Sequence, residues 1–378
     1  MAVDGEAIQQ TQRIVRLTPL DTVLARIDAL VAPVMPREVA IAAAVGRVVA
    51  GDVTVGARPG AALALRDGWA VNSALTQDAG PYAPAPLPSA IRIEAGAPLP
   101  AGADAVAESD AVVVRAGAAQ AIAPVTPGEG VLPAGADADG ATARPHDGRR
   151  LHAVAAAALA AAGISRLRIR EPRLLVVRAR PPGDPIIDAG AALLAHAIAA
   201  AGGVALDHPP GDGRRLEDAL RRPDADAVIA IGGTGGGRND ASVSTLASLG
   251  RVEAHGIALS PGETAAFGTV ETRPVLLLPG RIDGALAVWL LLGERLLARL
   301  AGSREQPPAV AATLTRKVAS NLGLAELIPV RLREGKAEPL GSGYLPLQTI
   351  AQADGWMLVA ADREGHPAGA TVMIRPWP

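Results

Sequence analysis

The residues best suited to chemistry lie in one run, Gly232-Gly233-Thr234-Gly235-Gly236-Gly237-Arg238-Asn239-Asp240, directly after five apolar residues, Ala227–Ile231. Glycines let a backbone turn sharply and approach a ligand with no Cβ in the way. Read as a strand buried on both faces and followed by a helix near Ser242, the apolar run places these glycines at the carboxyl end of a strand, the usual ligand position in open α/β sheets. Backbone N–H groups at the following helix start favour a small anion such as phosphate. A tight strand-to-helix turn without a ligand fits the same residues equally well. The six histidines (His146, His152, His196, His208, His255 and His366) show no metal-ligand spacing. With no cysteine in the chain, disulfides, thiolate zinc sites and cysteine nucleophiles are excluded.

The elements that must position the run follow from periodicity. Residues 173–177, 227–231 and 275–278 read as buried strands, with another near Val204, and helices are predicted over 189–202, 214–222, 242–249 and 284–300. Such alternation implies a parallel sheet covered on both faces, hence an α/β fold. In the last helix Trp289 stands among Leu290, Leu291, Leu292, Leu296, Leu297 and Leu300, a pattern of core or subunit interface. Upstream, Thr18 reads as an N-cap with Pro19 at N1 and Asp21 at N3, followed by an apolar face of Leu20, Val23, Leu24, Ile27, Leu30 and Val31. Residues 39–55 read as a short helix or turn leading into a strand, and 153–164 as a buried helix. Closely spaced short strands with turn signals over 58–145 and 310–378 predict two small β modules. The expected organisation is a helical and linker domain over 1–51 and 140–170, a β-rich insertion over 52–139, an α/β domain over 171–302 and a C-terminal β-barrel-like domain over 306–378.

The chain has 378 residues, a formal net charge of −2 with both signs interspersed, and seven aromatic residues. No basic footprint or stacking platform for nucleic acid is present. The longest apolar stretch is about half of a membrane span, and the N-terminus lacks the pattern of a signal peptide. A cytoplasmic protein is the expectation.

Four segments in order resemble the molybdopterin molybdenumtransferase (MoeA-type) family, whose fold is shared with the C-terminal domain of gephyrin. Leu65-Arg66-Asp67-Gly68-Trp69-Ala70-Val71 looks like the family's Ser-Ala-Met-Asp-Gly-Tyr-Ala-Val. The segment from Ile91 through Gly96-Ala97-Pro98-Leu99-Pro100-Ala101-Gly102 to Val106 is similar to Arg-Ile-x-Thr-Gly-Ala-Pro-x-Pro-x-Gly-x-x-Ala-Val. The glycine run is similar to Gly-Gly-Val-Ser-x-Gly-x-x-Asp, and Gly341-Ser342-Gly343-Tyr344-Leu345 through Ala353-Asp354-Gly355 to Gly-Ser-x-x-Leu-x-Ser-Leu-x-x-Ala-Asp-Gly. The resemblance covers nearly the whole chain.

It implies a multidomain MoeA-like fold with a central parallel-sheet α/β domain, a β-rich insertion domain and a C-terminal β module. It also implies a homodimer whose site lies between one subunit's α/β domain and the other's β insertion. The implied activity takes adenylylated molybdopterin and molybdate as substrates, hydrolyses the adenylate with Mg2+ and inserts molybdenum. Asp67, Asp137 and Asp240 match the family's acidic positions and are the implied catalytic and metal residues. Asp67 also reads as a turn residue before Gly68, Asp137 as a solvated loop acid and Asp240 as an N-cap. The implied molybdopterin contacts are Gly232, Gly233, Thr234, Gly235, Gly236, Gly237, Ser260, Pro261, Gly262, Pro279, Gly280, Arg281 and Ser342.

Departures from the family pattern cluster at the same site. Lys-Pro-Gly-Lys-Pro is replaced by Ser260-Pro261-Gly262-Glu263-Thr264, which removes two cations. Glu263 beside a phosphate is unfavourable by roughly 1–4 kcal/mol at about 4 Å. Thr-Gly-Asp-Glu-Leu appears as Pro182-Gly183-Asp184-Pro185-Ile186, the Asn-Pro after Pro279-Gly280 is Arg281-Ile282, and the serine of Gly-Gly-Val-Ser is Gly235. Arg281 and Arg238 are candidates for replacement charge. Two functions therefore stand: molybdenum insertion, or binding of molybdopterin, the molybdenum cofactor or a client molybdoenzyme as a carrier or scaffold.

Overall fold

The computed structural model describes residues 12–140, 146–180, 183–208, 215–237 and 240–378. Arg238 and Pro182 lie outside them. The chain divides into two compact units, one formed by Met1–Ala50, Asp147–Ala153 and Leu167–Pro378, the other by Gly51–His146 and Val154–Arg166.

In the first unit, strand β1 (Thr18–Pro19) leads into helix α1 (Leu20–Leu30), then β2 (Arg173–Arg178), α2 (Pro185–Ala200), β3 (Val204–Asp207), α3 (Arg215–Arg221) and β4 (Ala227–Ile231). There follow α4 (Ser242–Leu249), β5 (Arg251–His255), β6 (Ile257–Ser260), β7 (Ala266–Val270), β8 (Arg273–Leu278), α5 (Ile282–Val288) and α6 (Glu294–Ala301). The sheet order is β3-β2-β4-β8-β7-β5. The first four strands pair in parallel and β8-β7-β5 are antiparallel, so the expected parallel sheet carries an antiparallel edge. All five residues of β4 are buried. Ala227, Ile229 and Ile231 enter the core shared with α1, α2, α5 and α6, while Val228 and Ala230 enter the one formed with α3 and α4. The period of two, apolar on both faces, is what a central strand between helical layers requires.

Three sequence expectations are corrected. Thr18–Pro19 is not a helix start: the Thr18 N–H donates to the Gly256 carbonyl at 2.8 Å, and the pair lies parallel to Ile257–Ala258, so α1 begins at Leu20 with no side-chain cap. The predicted helix over 284–300 is interrupted by a π-turn, Trp289–Gly293. A Cβ on Gly293 would lie 2.3 Å from the Trp289 ring, so the fully buried indole is housed over a residue with no side chain. The helix predicted over 153–164 spans Ala153–Ala161 and buries only Ala156 and Leu159, which stand three apart and so share one face.

Residues 310–376 form strands that, with β1 and β6, make a seven-stranded sheet. The long strand Ala325–Arg333 pairs with both Lys336–Pro339 and Gly355–Val359, closing five strands into a ring, and its start pairs in parallel with β6. A helix, Leu347–Gln352, interrupts what reads in sequence as strands alone. The second unit is β-rich: Gly68–Val71 lies between Ile91–Ile93 and Ala105–Ala107, and Ala118–Ala121 between Ala85–Pro86 and Val112–Arg115. Among the described residues, no helix is long and apolar enough to cross a membrane.

Glu294, at the start of α6, is pushed up to about 7 by burial, against the pull of the Arg375 cation. Its folded value lies above the ordinary 4.5. The folded state therefore holds the proton more tightly, and stability on this account falls as pH rises from about 4.5 to about 7 and stays lower above that. Glu294→Gln is expected to raise stability at pH 8 by as much as about 3 kcal/mol, with the gain shrinking toward pH 5; urea denaturation at the two pH values measures it.

Candidate functional site

The glycine-rich loop leaves β4 from a buried root. The Gly232 N–H donates to Leu278 O at 2.9 Å, and both Gly232 (φ 94°) and Gly233 (φ 74°) take left-handed conformations. Ser242, the first residue of α4, donates its hydroxyl to Gly232 O at 2.8 Å and its N–H to Gly233 O at 3.0 Å. A Cβ on Gly233 would sit 2.4 Å from that hydroxyl. From the far end of the chain, the Gln12 amide donates to Gly233 O at 2.7 Å and Gly235 O at 2.8 Å. Gln12 is only 4% exposed, and its own carbonyl has no hydrogen-bond partner. Thr234 is buried too; its hydroxyl meets that of Thr264 at 2.9 Å, and its carbonyl meets His255 Nε2 at 3.2 Å. Burial lowers the His255 pKa, so the ring is neutral at pH 7, and the Thr234 carbonyl implies an Nε2–H donor. The crest, Gly236 and Gly237, is exposed.

Around the loop lie the carboxyl ends of the neighbouring strands. β2 connects through α2 to β3 on one side, whereas β4 flanks it on the other, so the chain reverses direction across the sheet between β2 and β4. Arg180 follows β2 there, and its Nη2 lies 3.1 Å from Asp240 Oδ1. Asp240 Oδ2 accepts the Gly237 N–H at 3.0 Å. The residue is therefore a brace for the loop, not the N-cap of α4, whose cap position is Ala241 with no side-chain bond. Asp184 takes the capping role on α2, accepting from the Ile186 and Ile187 N–H groups, with Pro185 behind it.

The segment Ser260-Pro261-Gly262-Glu263-Thr264 follows β6. Gly262 has no room for a Cβ, which would lie 2.5 Å from the Leu259 side chain, and its N–H donates to Glu263 Oε2 at 3.1 Å. After β8, Gly280 lies close under Gly232, and Arg281 forks onto Asp283 at 3.1 and 3.0 Å. Asp283, 3% exposed, also accepts from Gly284 N at 2.9 Å and Leu345 N at 3.2 Å. Arg281 stacks 4.3 Å from the Tyr344 ring centroid, beside exposed Ser342. The structure thus draws together the loop, Pro279-Gly280-Arg281 and the turn holding Ser342 within the first unit. A cleft of about 850 Å³ lined by Arg221, Asp226, Arg273 and Pro274 opens at the opposite, amino ends of β4 and β8.

Asp67 and Asp137 belong to the other compact unit. Asp67 Oδ1 accepts the Ala95 N–H at 2.8 Å, tying the first motif to the second, and Arg66 bridges Glu108 and Glu129 at 2.7 Å each. A Cβ on Gly68 would lie 2.1 Å from Ala107 O, which explains the glycine after Asp67. Asp137 is exposed. Among the described residues, no three His, Asp or Glu side chains are gathered to hold a metal. Both Asp240 oxygens are already hydrogen-bonded, one of them to a cationic guanidinium, so Asp240 as placed does not fit a resident divalent cation.

Family models cover most of the chain: the MoeA N-terminal region (domain I and II) matches residues 18–163, a probable molybdopterin binding domain 175–299, and the MoeA C-terminal region (domain IV) 311–377. The chain belongs to the MoeA family. Its fold is that of the MoeA molybdopterin biosynthesis protein from Pyrococcus horikoshii, with a TM-score of 0.80 and 27% identity over 96% of this chain and 100% of that one. The molybdopterin molybdenumtransferase of Haemophilus influenzae is 25% identical over 317 residues, 77% of this chain and 78% of its own length. Molybdopterin molybdenumtransferase 1 of Mycobacterium tuberculosis is 28% identical over 310 residues, 75% and 67% respectively. A putative molybdopterin biosynthesis protein of Methanocaldococcus jannaschii, MJ0666, is 27% identical over 168 residues; the match spans 40% of that protein.

Motif matching to the MoeA family reaches the loop and misses what grips it. Gln12, Arg180 and His255 have no place in the matched motifs. Nothing periodic in sequence marks a side chain that bonds a backbone more than two hundred residues away. Gln12→Ala should destabilise the protein by about 1–3 kcal/mol, since two buried carbonyls lose their donor. Gln12→Glu, which sets a carboxylate against the same carbonyls, should give a still lower Tm in a thermal melt at pH 7. Gly68→Ala should cost more than about 2 kcal/mol through overpacking against Ala107 O, with proteolysis concentrated in the second unit.

Proposed function

We propose that this chain acts in molybdenum cofactor biosynthesis as a MoeA-type molybdopterin molybdenumtransferase, taking adenylylated molybdopterin and molybdate and releasing AMP. The observation that carries the reading is the pinned glycine-rich loop at the reversal between β2 and β4, inside the segment matched as a molybdopterin binding domain. Its role is to hold the phosphate part of the substrate: a buried root fixes the backbone, and the exposed crest sets the anion beside the loop and Arg180. Fixed donors of this kind stabilise charge without reorganising during reaction. Asp240 holds the crest through Gly237 and sets Arg180 beside it. Arg281, stacked on Tyr344 and forked onto Asp283, is the second cation at this edge of the sheet. Hydrolysis of the adenylate breaks the phosphoanhydride by water attack at phosphorus, and molybdenum then enters the dithiolene. A homodimer belongs to the same reading.

A second reading is favoured by Glu263, whose carboxylate holds the Gly262 N–H where the family carries lysine. An acid there weakens oxyanion binding, so the chain would carry the pterin or present it to a client molybdoenzyme without turnover.

Purified protein incubated with adenylylated molybdopterin and molybdate, with and without Mg2+, should release AMP. Asp240→Ala, which removes the brace on the crest, should lower that release by at least about 100-fold. Pterin binding with no AMP above buffer assigns the carrier role, and absence of both binding and release overturns the two readings together.

A further inference from the structure

We infer that Asp240 in this chain serves as the anchor of Arg180 and not as a ligand for a divalent cation, so that the loop meets its anion with a guanidinium in the place of a metal. The inference rests on the reading of the loop as an anion site, and it alters how that site is charged.

Three observations carry it. The two carboxylate oxygens of Asp240 are divided between Arg180 Nη2, at 3.1 Å, and the Gly237 N–H, at 3.0 Å, and the side chain is 12% exposed. A cation approaching it would meet the positive charge of the guanidinium on one oxygen and compete with the N–H that holds the crest on the other. Next, the path of Arg180 is built into the loop: a Cβ at Gly232 would lie 3.0 Å from Arg180 Cγ, so the absence of a side chain there lets the stem pass over the root. Finally, the neighbouring acids of this unit have other duties. Asp184 caps α2, Glu263 binds its own turn and Asp283 is spread over Arg281, Gly284 and Leu345. A hard divalent cation needs several oxygen ligands. Of the acids named here, Asp240 alone bonds the crest, and its charge is paired with Arg180, whereas a guanidinium is always charged and matches a phosphate or molybdate oxyanion in geometry.

Metal binding by the full-length protein, measured without pterin, separates this inference from the function above. Mn2+ titration followed by electron paramagnetic resonance should give the same isotherm for wild type and Asp240→Asn. Arg180→Gln, which releases the carboxylate, should gain Mn2+ affinity of about tenfold, and the gain should vanish in Arg180→Gln/Asp240→Asn. In parallel, inorganic phosphate binding measured by calorimetry should be unchanged by excess Mg2+ or by EDTA in wild type and fall about tenfold in Arg180→Gln. Wild-type Mn2+ binding that Asp240→Asn removes overturns the inference. So does phosphate binding that requires Mg2+, or that survives Arg180→Gln intact. The first comparison needs no change at Arg180, so it stands even where that variant folds poorly.

Discussion

The buried root of the glycine-rich loop is the constraint on which the rest of the site depends. β4 has no exposed residue, and the first residue after it still bonds across to β8 through Leu278. The chain must then leave a close-packed layer between two helical cores and reach solvent within a few residues. Two left-handed glycines make that exit, and the carbonyls they strand are taken up by Ser242 from ahead and Gln12 from the N-terminal segment. Buried carbonyls without donors are costly, so the loop's shape is set by these partners more than by its own sequence. Asp240 then fixes the crest from the solvent side.

A buried carboxylate organises the turn after β8. Asp283 gathers a side chain from its own turn, an amide from the start of α5 and an amide from the C-terminal ring of strands. Buried charges persist where every lone pair finds a donor, and here the donors come from segments far apart in sequence. Arg281 is held by the same group while keeping most of its guanidinium face on Tyr344. Asp240 and Asp283 thus act alike: each acid places an arginine at the sheet's carboxyl edge, where the family pattern has lysines and an asparagine.

How much of this was legible before the structure depends on range. The apolar pentapeptide, the βα alternation and the motif order specify β4, the helical layers and the family, because they are local patterns repeated at fixed periods. β5, β6 and β7 are absent from the predicted strands because Gly250, Gly256 and Gly262 break the segment between α4 and β8 into pieces shorter than a periodic signal needs. Thr18 and Pro19 have the letters of a helix start, and a tertiary strand partner overrode them. Gln12 and Arg180 show the limit most clearly. Their contacts span 221 and 60 residues, and neither residue type nor spacing announces them. Asp67 was legible as an important acid, but its bond to the Ala95 N–H is one that only the folded β unit supplies.

The π-turn at Trp289–Gly293 has a consequence for how this helix tolerates length changes. A π-turn is one residue inserted into an α-helix, and each residue of a helix advances the azimuth by about 100°. The widened turn absorbs that extra residue, so the segments on either side keep the azimuth that a regular helix would give them. Deleting one residue within the turn would leave a regular helix with Leu296, Leu297 and Leu300 still facing the core, whereas deleting one between the turn and Leu296 would rotate all three away together. The turn is thus the one stretch of this helix where a one-residue deletion leaves the face of its second half unchanged.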